Sequence, residues 1–269
     1  MAADGDGTVG KALDVLDRVA AAGRPVRFTE LLSGSDYPKA TLYRLLQTLV
    51  RQGMLSHEPA DGTYALGVRL VRLAHVAWRQ ASLAPIARPH LDRLAAALGE
   101  TVHLAQLDNG QVLYVDKRNA TRPVAMFSEA GKVGPAYCTG IGKAMLAFLH
   151  EDERQRAMAL QSFHRFTPAT LTTIPALAGE LALIRARGHA FDDEEHEPGI
   201  ICVAVPVLNG AGRVLGGLSV TSTTARSTLA DLARHAPALA GTARAIAEAA
   251  EAWRFPEAPS AREDAACRA

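Results

Sequence analysis

The sequence predicts an α+β protein of two domains: an N-terminal winged helix-turn-helix and a larger C-terminal domain built on an antiparallel sheet. Two observations support this prediction. Residues 8–66 follow the order helix, short helix, helix and two short strands, whereas residues 89–253 interleave helices with strand hairpins. At 269 residues the chain is long enough for two compact domains.

The composition is that of a nearly neutral protein. The formal net charge is +1, so any binding to nucleic acid requires a local basic patch. Cys138, Cys202 and Cys267 show no CxxC spacing, which favours a reduced protein over a disulfide scaffold or a zinc ribbon. No apolar run reaches the length of a membrane span, and the polar first residues do not resemble a signal peptide. We therefore expect a cytoplasmic protein with no membrane partner, metal or cofactor.

Three helices are predicted in the first domain, residues 1–67. Apolar residues at helical spacing predict a first helix that ends before Gly23. Thr29 is the expected N-cap of a short second helix. Pro38 suits the first turn of a third helix, residues 38–52.

The third helix has an apolar stripe and an opposite polar stripe. At about 100° per residue, its leucines fall on one side and must face a core. The other side combines cations, an amide and a phenol, which can contact phosphates and base edges. The residues predicted to bind DNA are Lys39, Ala40, Thr41, Tyr43, Arg44, Gln47 and Arg51. The alternative is the solvated face of a small helical bundle.

A wing is predicted after this helix. Residues 54–57 alternate apolar and polar side chains, Asp61–Gly62 suits a hairpin turn, and residues 63–66 form the return strand. The runs PKATLYRLLQTLVRQG and DGTYALG resemble the IclR family of transcription regulators. Many members have serine where this chain has Ala40, so one hydroxyl that could bind a phosphate is missing.

Residues 68–88 are expected to form a stiff linker helix, because they contain no stretch rich in glycine and serine. Their apolar stripe could belong to a core or to a dimer seam. The family resemblance favours the seam. It implies a homodimer, or a dimer of dimers, on a near-palindromic double-stranded DNA operator.

The second domain, residues 89–254, alternates helices and hairpins. Asp108-Asn109-Gly110 predicts a tight turn between two strands. The predicted helices cover residues 89–98, 139–149, 175–187 and 228–253, and the predicted strands cover 101–107, 111–117, 200–208 and 213–221. The tail, residues 255–269, shows no periodicity and is expected to be disordered.

Four further motifs, MFSEAGK, AYCTGIGKAMLA, RFTP and FDDEEHEPG, follow in order from residue 126 to residue 199. They resemble the effector-binding domain of the IclR family, which implies a GAF-like fold. Together with the N-terminal runs, the resemblance covers about residues 8–250. The segments at 126–128 and 137–140 are most similar to the KdgR-like branch, which senses keto-sugar acids.

Two features of the sequence indicate where a ligand binds. The loop at 139–142 enters a helix, whose free N–H groups favour an anion, although glycines there could serve packing alone. Ser219 and Thr221 share one face of a strand. The resemblance implies that Met126, Gly140, Ile141, Asp192, Cys202, Ser219 and Thr221 hold a small carboxylate effector.

Alternatives remain for several of these residues. Cys202 could be a small buried hydrophobe, and Asp192 could be a solvated member of an acidic run. If ionised, Asp192 would only accept hydrogen bonds and would repel a carboxylate. Three other interpretations remain open: an enzyme that uses Asp192, His196 and Cys202, a metal site formed by His103, His196 and Cys202, and a metabolite-binding protein without DNA contact. We expect a regulator and not an enzyme.

Overall fold

A computed structural model describes residues 7–122 and 126–251 of the chain. The chain divides into two compact units, Met1–Gln80 and Ala81–Ala269. None of the described helices is long and apolar enough to cross a membrane.

The first unit is a three-helix core with a small sheet. Its elements are α1 (Thr8–Ala21), β1 (Val26–Arg27), α2 (Phe28–Ser33), α3 (Lys39–Arg51), β2 (Leu55–Glu58), β3 (Thr63–Leu66) and α4 (Val68–Ala81). The three strands are antiparallel in the order β1-β3-β2. The leucine stripe of α3 is buried as predicted: Leu42, Leu45, Leu46 and Leu49.

Two details of this unit differ from the sequence prediction. Strand β1 was not predicted, because two residues are too short to show alternation. The N-cap of α2 is Arg27 instead of Thr29, since the helix begins at Phe28 directly after β1. Thr29 therefore lies in the first turn.

The second unit is built on six antiparallel strands in the order β6-β5-β4-β9-β8-β7. Its elements are α5 (Ala84–Leu98), β4 (Thr101–Asp108), β5 (Gln111–Arg118), β6 (Val133–Pro135), α6 (Gly140–Phe148), α7 (Glu151–Ala159), α8 (Ile174–Arg187), β7 (Ala190–Asp193), β8 (Ile200–Leu208), β9 (Val214–Thr223), α9 (Leu229–Ala233) and α10 (Ala236–Ala249). Asn109 and Gly110 have φ of 48° and 76°, as the predicted tight turn requires.

Helices cover both faces of this sheet. A Cβ added at Gly216 would lie 3.4 Å from Leu83, which precedes α5, whereas one at Gly217 would lie 2.9 Å from Ile141 of α6. Because neighbouring strand residues point to opposite faces, α5 and α6 lie on opposite sides. Helix α10 packs with α5, and α6 packs on β7, β8 and β9.

Three predicted helix boundaries are wrong. The linker helix predicted over residues 68–88 ends at Ala81, and residues 84–88 belong to α5, so the segment is not one continuous helix. Helix α5 begins at Ala84, with Pro85 in its first turn, so Pro89 lies inside the helix and does not start it. The single helix predicted over 228–253 is two helices, because Pro237 has no N–H to continue α9 and lies in the first turn of α10, after a break at Arg234 and His235. The end of that predicted helix and the tail lie outside the described residues.

Candidate functional site

The outward face of α3 presents unpaired cations. Lys39, Arg44 and Arg51 are exposed, and no carboxylate of the described residues forms an ion pair with any of them. Ala40 and Tyr43 are also exposed, whereas Thr41 and Gln47 are half-buried. The helix therefore carries all seven residues predicted for DNA binding, and its three positive charges are available to phosphates.

The second unit contains a cavity of about 30 Å³ between α6 and the sheet. Strand register explains its polar wall. Asp192 pairs with Cys202, and Cys202 pairs with Thr221, so the three side chains stand in one row on one face. The cavity is lined by all seven residues that the sequence predicted for the ligand: Met126, Gly140, Ile141, Asp192, Cys202, Ser219 and Thr221.

The first turn of α6 borders this cavity and has no side-chain cap. Thr139 occupies the N-cap position, but its hydroxyl donates to the carbonyl of Pro135 at 2.8 Å. The N–H groups of the first turn have no acceptor within the helix, and they carry the positive end of its dipole. An anion entering the cavity would meet these donors.

Packing accounts for both glycines of this turn. A Cβ at Gly140 would lie 2.5 Å from the Cys202 Sγ, and one at Gly142 would lie 2.5 Å from the backbone of Ala136. Either clash would displace the helix, since such distances are far below van der Waals contact. The missing side chain of Gly140 thus faces strand β8, so a larger residue there would disturb helix packing as well as the cavity.

Asp192 is buried, with only 6% of its surface exposed, so the solvated interpretation is wrong. Burial, and then the neighbouring Glu195 carboxylate, raise the pKa of Asp192 to about 7. Its Oδ1 accepts from the Glu195 N–H at 2.9 Å. At neutral pH the carboxyl is therefore partly protonated and can donate a hydrogen bond to an anion, which the sequence-based view of an ionised Asp192 did not include.

A buried ion pair lies next to Asp192. Lys143 of α6 donates to the Glu195 carboxylate, and both side chains are almost fully buried. The backbone carbonyl of Glu195 accepts from the Thr170 hydroxyl at 2.7 Å. The first contact joins α6 to the loop that follows β7, and the second joins that loop to the segment between α7 and α8.

The two cysteines that the structure describes in the second unit are not arranged for catalysis. Cys138 and Cys202 are free and buried, and burial raises the pKa of each thiol. A protonated thiol is a poor nucleophile and a poor metal ligand. Among the described residues, no cluster of three or more His, Cys, Asp or Glu side chains is placed to hold a metal ion.

The sequence prediction missed about half of the cavity wall. Besides Thr139, which belongs to the 139–142 loop already predicted to face an anion, the additional lining residues are His103, Tyr114, Ser128, His196, Glu197 and Ile200. The alternation along β4 could have identified His103, because it pairs with Ser219 and shares its face. The contacts near the 126–128 segment carried no sequence signal: the Phe127 N–H donates to the Glu197 carboxylate at 3.0 Å, across 70 residues.

Comparison with known proteins identifies both units. Residues 8–59 match the IclR helix-turn-helix domain, and residues 75–248 match the domain described as bacterial transcriptional regulator IclR C-terminal. The Escherichia coli regulator XynR is 34% identical over 90% of this chain and 96% of its own length. Escherichia coli KdgR is 32% identical over 89% of this chain and 92% of its own length.

The fold comparison agrees. An IclR transcriptional regulator from Alicyclobacillus acidocaldarius superimposes with a TM-score of 0.76 at 27% identity, covering 91% of this chain and 98% of that one. These relatives are transcription regulators and not enzymes. The chain belongs to the IclR family and is a DNA-binding transcription regulator with a C-terminal effector domain.

Proposed function

We propose that the cavity binds a small carboxylate, a keto acid or a sugar acid, and that this ligand modulates operator binding by α3. The observation that carries the proposal is the convergence of an uncapped helix start and a row of hydroxyl groups on one buried cavity. The similarity to KdgR is no greater than that to XynR, so the effector class rests on the chemistry of the cavity.

The lining suits an anion with a carbonyl or hydroxyl group. The first turn of α6 offers N–H donors, and Ser219 and Thr221 offer hydroxyls. Ile141 and Met126 provide an apolar wall. A volume of about 30 Å³ holds about two water molecules. The effector is therefore a small molecule, and binding it requires the lining side chains to move outward.

The DNA-binding role rests on α3. Arg44 and Gln47 are proposed to contact base edges, while Lys39 and Arg51 hold phosphates. Thr41 and Tyr43 add hydroxyl groups beside the backbone of the DNA. The small side chain of Ala40 only allows the helix to come close to the DNA. The proposed assembly is a cytoplasmic homodimer, or a dimer of dimers, in which residues 68–88 connect the two domains.

Calorimetry with pyruvate and its neutral amide, pyruvamide, tests the ligand proposal. Pyruvate is expected to bind and to raise the melting temperature, since a ligand at 100 times its Kd adds about 2.7 kcal/mol to the free energy of unfolding. Pyruvamide should bind at least about tenfold more weakly, because it lacks the charge that the helix start favours.

Ser222→Ala is the matched control for Ser219→Ala. Ser222 is buried on the same strand, its hydroxyl has no hydrogen-bond partner, and its neighbour Thr221 faces the cavity, so Ser222 faces away from it. Pyruvate affinity should fall in Ser219→Ala and stay unchanged in Ser222→Ala. If no keto acid or sugar acid binds the wild type, the proposal is wrong.

A further inference from the structure

His103 lies at the base of the cavity and contacts three hydroxyl groups. Its Nε2 lies 2.8 Å from the Ser128 Oγ, and its Nδ1 lies 3.4 Å from both the Ser219 Oγ and the Thr221 Oγ1. The side chain is 2% exposed, and its ring meets the Tyr114 ring edge-on with centroids 5.6 Å apart. The imidazole thus connects the 126–128 segment to the hydroxyl groups of β9.

The ring is neutral. Burial, and then the nearby Lys117 cation, lower the pKa of His103 to about 3. A neutral imidazole carries one proton, so one ring nitrogen donates and the other accepts. The position of that proton determines which way the hydroxyl groups around the ring point.

The distances place the proton on Nδ1. A hydroxyl donor makes short bonds, and the 2.8 Å contact fits Ser128 donating to Nε2. On the other side, two equal contacts of 3.4 Å fit one N–H shared between two acceptor oxygens. A single lone pair on Nδ1 could not accept from both hydroxyls equally well.

We infer that His103 is a positioning residue whose Nδ1–H turns the hydroxyl protons of Ser219 and Thr221 into the cavity, so that the site selects ligands that accept hydrogen bonds. Each hydroxyl oxygen accepts the ring N–H with one of its own lone pairs, so the hydroxyl proton is free to reach a carboxylate or carbonyl oxygen. With the proton on Nε2, at least one hydroxyl would donate to the ring and present a lone pair, which repels an anion. The inference deepens the proposed function and rests on it for the identity of the ligand.

The tautomer can be measured without a ligand. Nitrogen NMR on protein labelled with ¹⁵N-histidine distinguishes a protonated ring nitrogen from an unprotonated one, and the spectrum of His103→Asn assigns the signal. We expect the protonated type at Nδ1 and the unprotonated type at Nε2. The reverse assignment overturns the inference, whether or not a keto acid binds.

Two amide variants separate positioning from simple packing. Asparagine can place its amide nitrogen near the Nδ1 position, whereas glutamine reaches the Nε2 position and leaves no donor for Ser219 and Thr221. Pyruvate should bind His103→Asn within about threefold of the wild type and His103→Gln about tenfold or more weakly, as the loss of an oriented hydrogen bond to a charged ligand predicts.

Equal losses in both variants would show that His103 only fills space, and would overturn the inference. If either variant fails to fold, the wild-type NMR signal still decides the tautomer. If the wild type binds no keto acid while Nδ1 carries the proton, the proposed function fails and the orientation of the hydroxyl groups stands.

Discussion

The fold raises the pKa of the Asp192 carboxyl group, which lines the cavity. It lies on β7 with its side chain in the same row as Cys202 and Thr221, and burial removes the water that would stabilise its charge. The hydrogen bond from the Glu195 N–H, and then Lys143 and His196, lower the pKa of Asp192, but less than burial and the Glu195 carboxylate raise it. A partly protonated acid can face an anionic ligand that a fully charged one would repel.

Asp192→Asn should make the protein less sensitive to rising pH. The folded-state pKa of about 7 lies above the ordinary value of 3.8, so between these values the folded state binds more protons than the unfolded state. The stabilisation by the protonated form is complete below about pH 4 and is lost as the pH rises towards 7, by up to about 1.4 kcal/mol per pH unit.

Thermal denaturation at pH 5 and pH 8 checks this prediction. The stability of the variant minus that of the wild type should be larger at pH 8 than at pH 5. The reason is that asparagine carries no charge and can still accept from the Glu195 N–H. An equal difference between the two proteins at both pH values would contradict it.

At single residues, the sequence indicated which side chains lie near one another but not which of them are buried. The seven residues predicted for the ligand line one cavity, and their role in binding stays a prediction. Asp192 could equally be read as solvated, since nothing in the run DDEEHE indicates that β7 is a buried edge of the sheet. The packing of Gly140 against Cys202 depends on a contact across 62 positions, which local sequence does not encode.

Among the elements, α3 carries the DNA-binding prediction. The wing, residues 54–66, contains no lysine or arginine, and its charged residues include the acids Glu58 and Asp61. It therefore lacks the cations that bind phosphates. The positive charge of this surface is concentrated on the exposed side of α3.

Arg44→Ala and Arg51→Ala are expected to have different effects on DNA binding. Loss of a base contact at Arg44 should cost about 1–3 kcal/mol of binding free energy at the operator and relax sequence preference. Arg51→Ala should instead weaken binding to every duplex and reduce its salt dependence by the contribution of about one phosphate contact. Fluorescence anisotropy on a selected operator and on a scrambled duplex measures both effects. Uniform weakening by Arg44→Ala would reassign Arg44 to a phosphate.

The predictability of each element depended on its pattern. Strands β4, β5 and β8 were located almost to the residue, because long alternating or continuous apolar runs flank turn residues. Helix α7 was missed, since only Ala157 and Met158 are buried and no apolar stripe forms. Strand β6 has three residues and is held by pairing with β5, which sequence periodicity cannot reveal.

At the scale of the molecule, α4 indicates how copies of the chain would assemble. Val68, Val71, Leu73 and Val76 are all at least half exposed. Four such side chains on one helix are typical of a surface that a partner covers. Leu73→Glu combined with Val76→Glu should therefore shift the protein from dimer to monomer in light scattering. A wild-type monomer at all concentrations, with or without operator DNA, would contradict the proposed assembly.

Operator affinity measured with and without the effector shows whether the cavity controls DNA binding. Anisotropy on a selected operator should show that pyruvate, or the keto acid that binds most tightly, changes the Kd by about fivefold or more in the wild type and in Ser222→Ala. The variant Ser219→Ala with Thr221→Val should bind the operator normally and show no response to the acid. An unchanged response in that variant would mean that the effector acts through a different site, and would contradict the proposed role of the cavity.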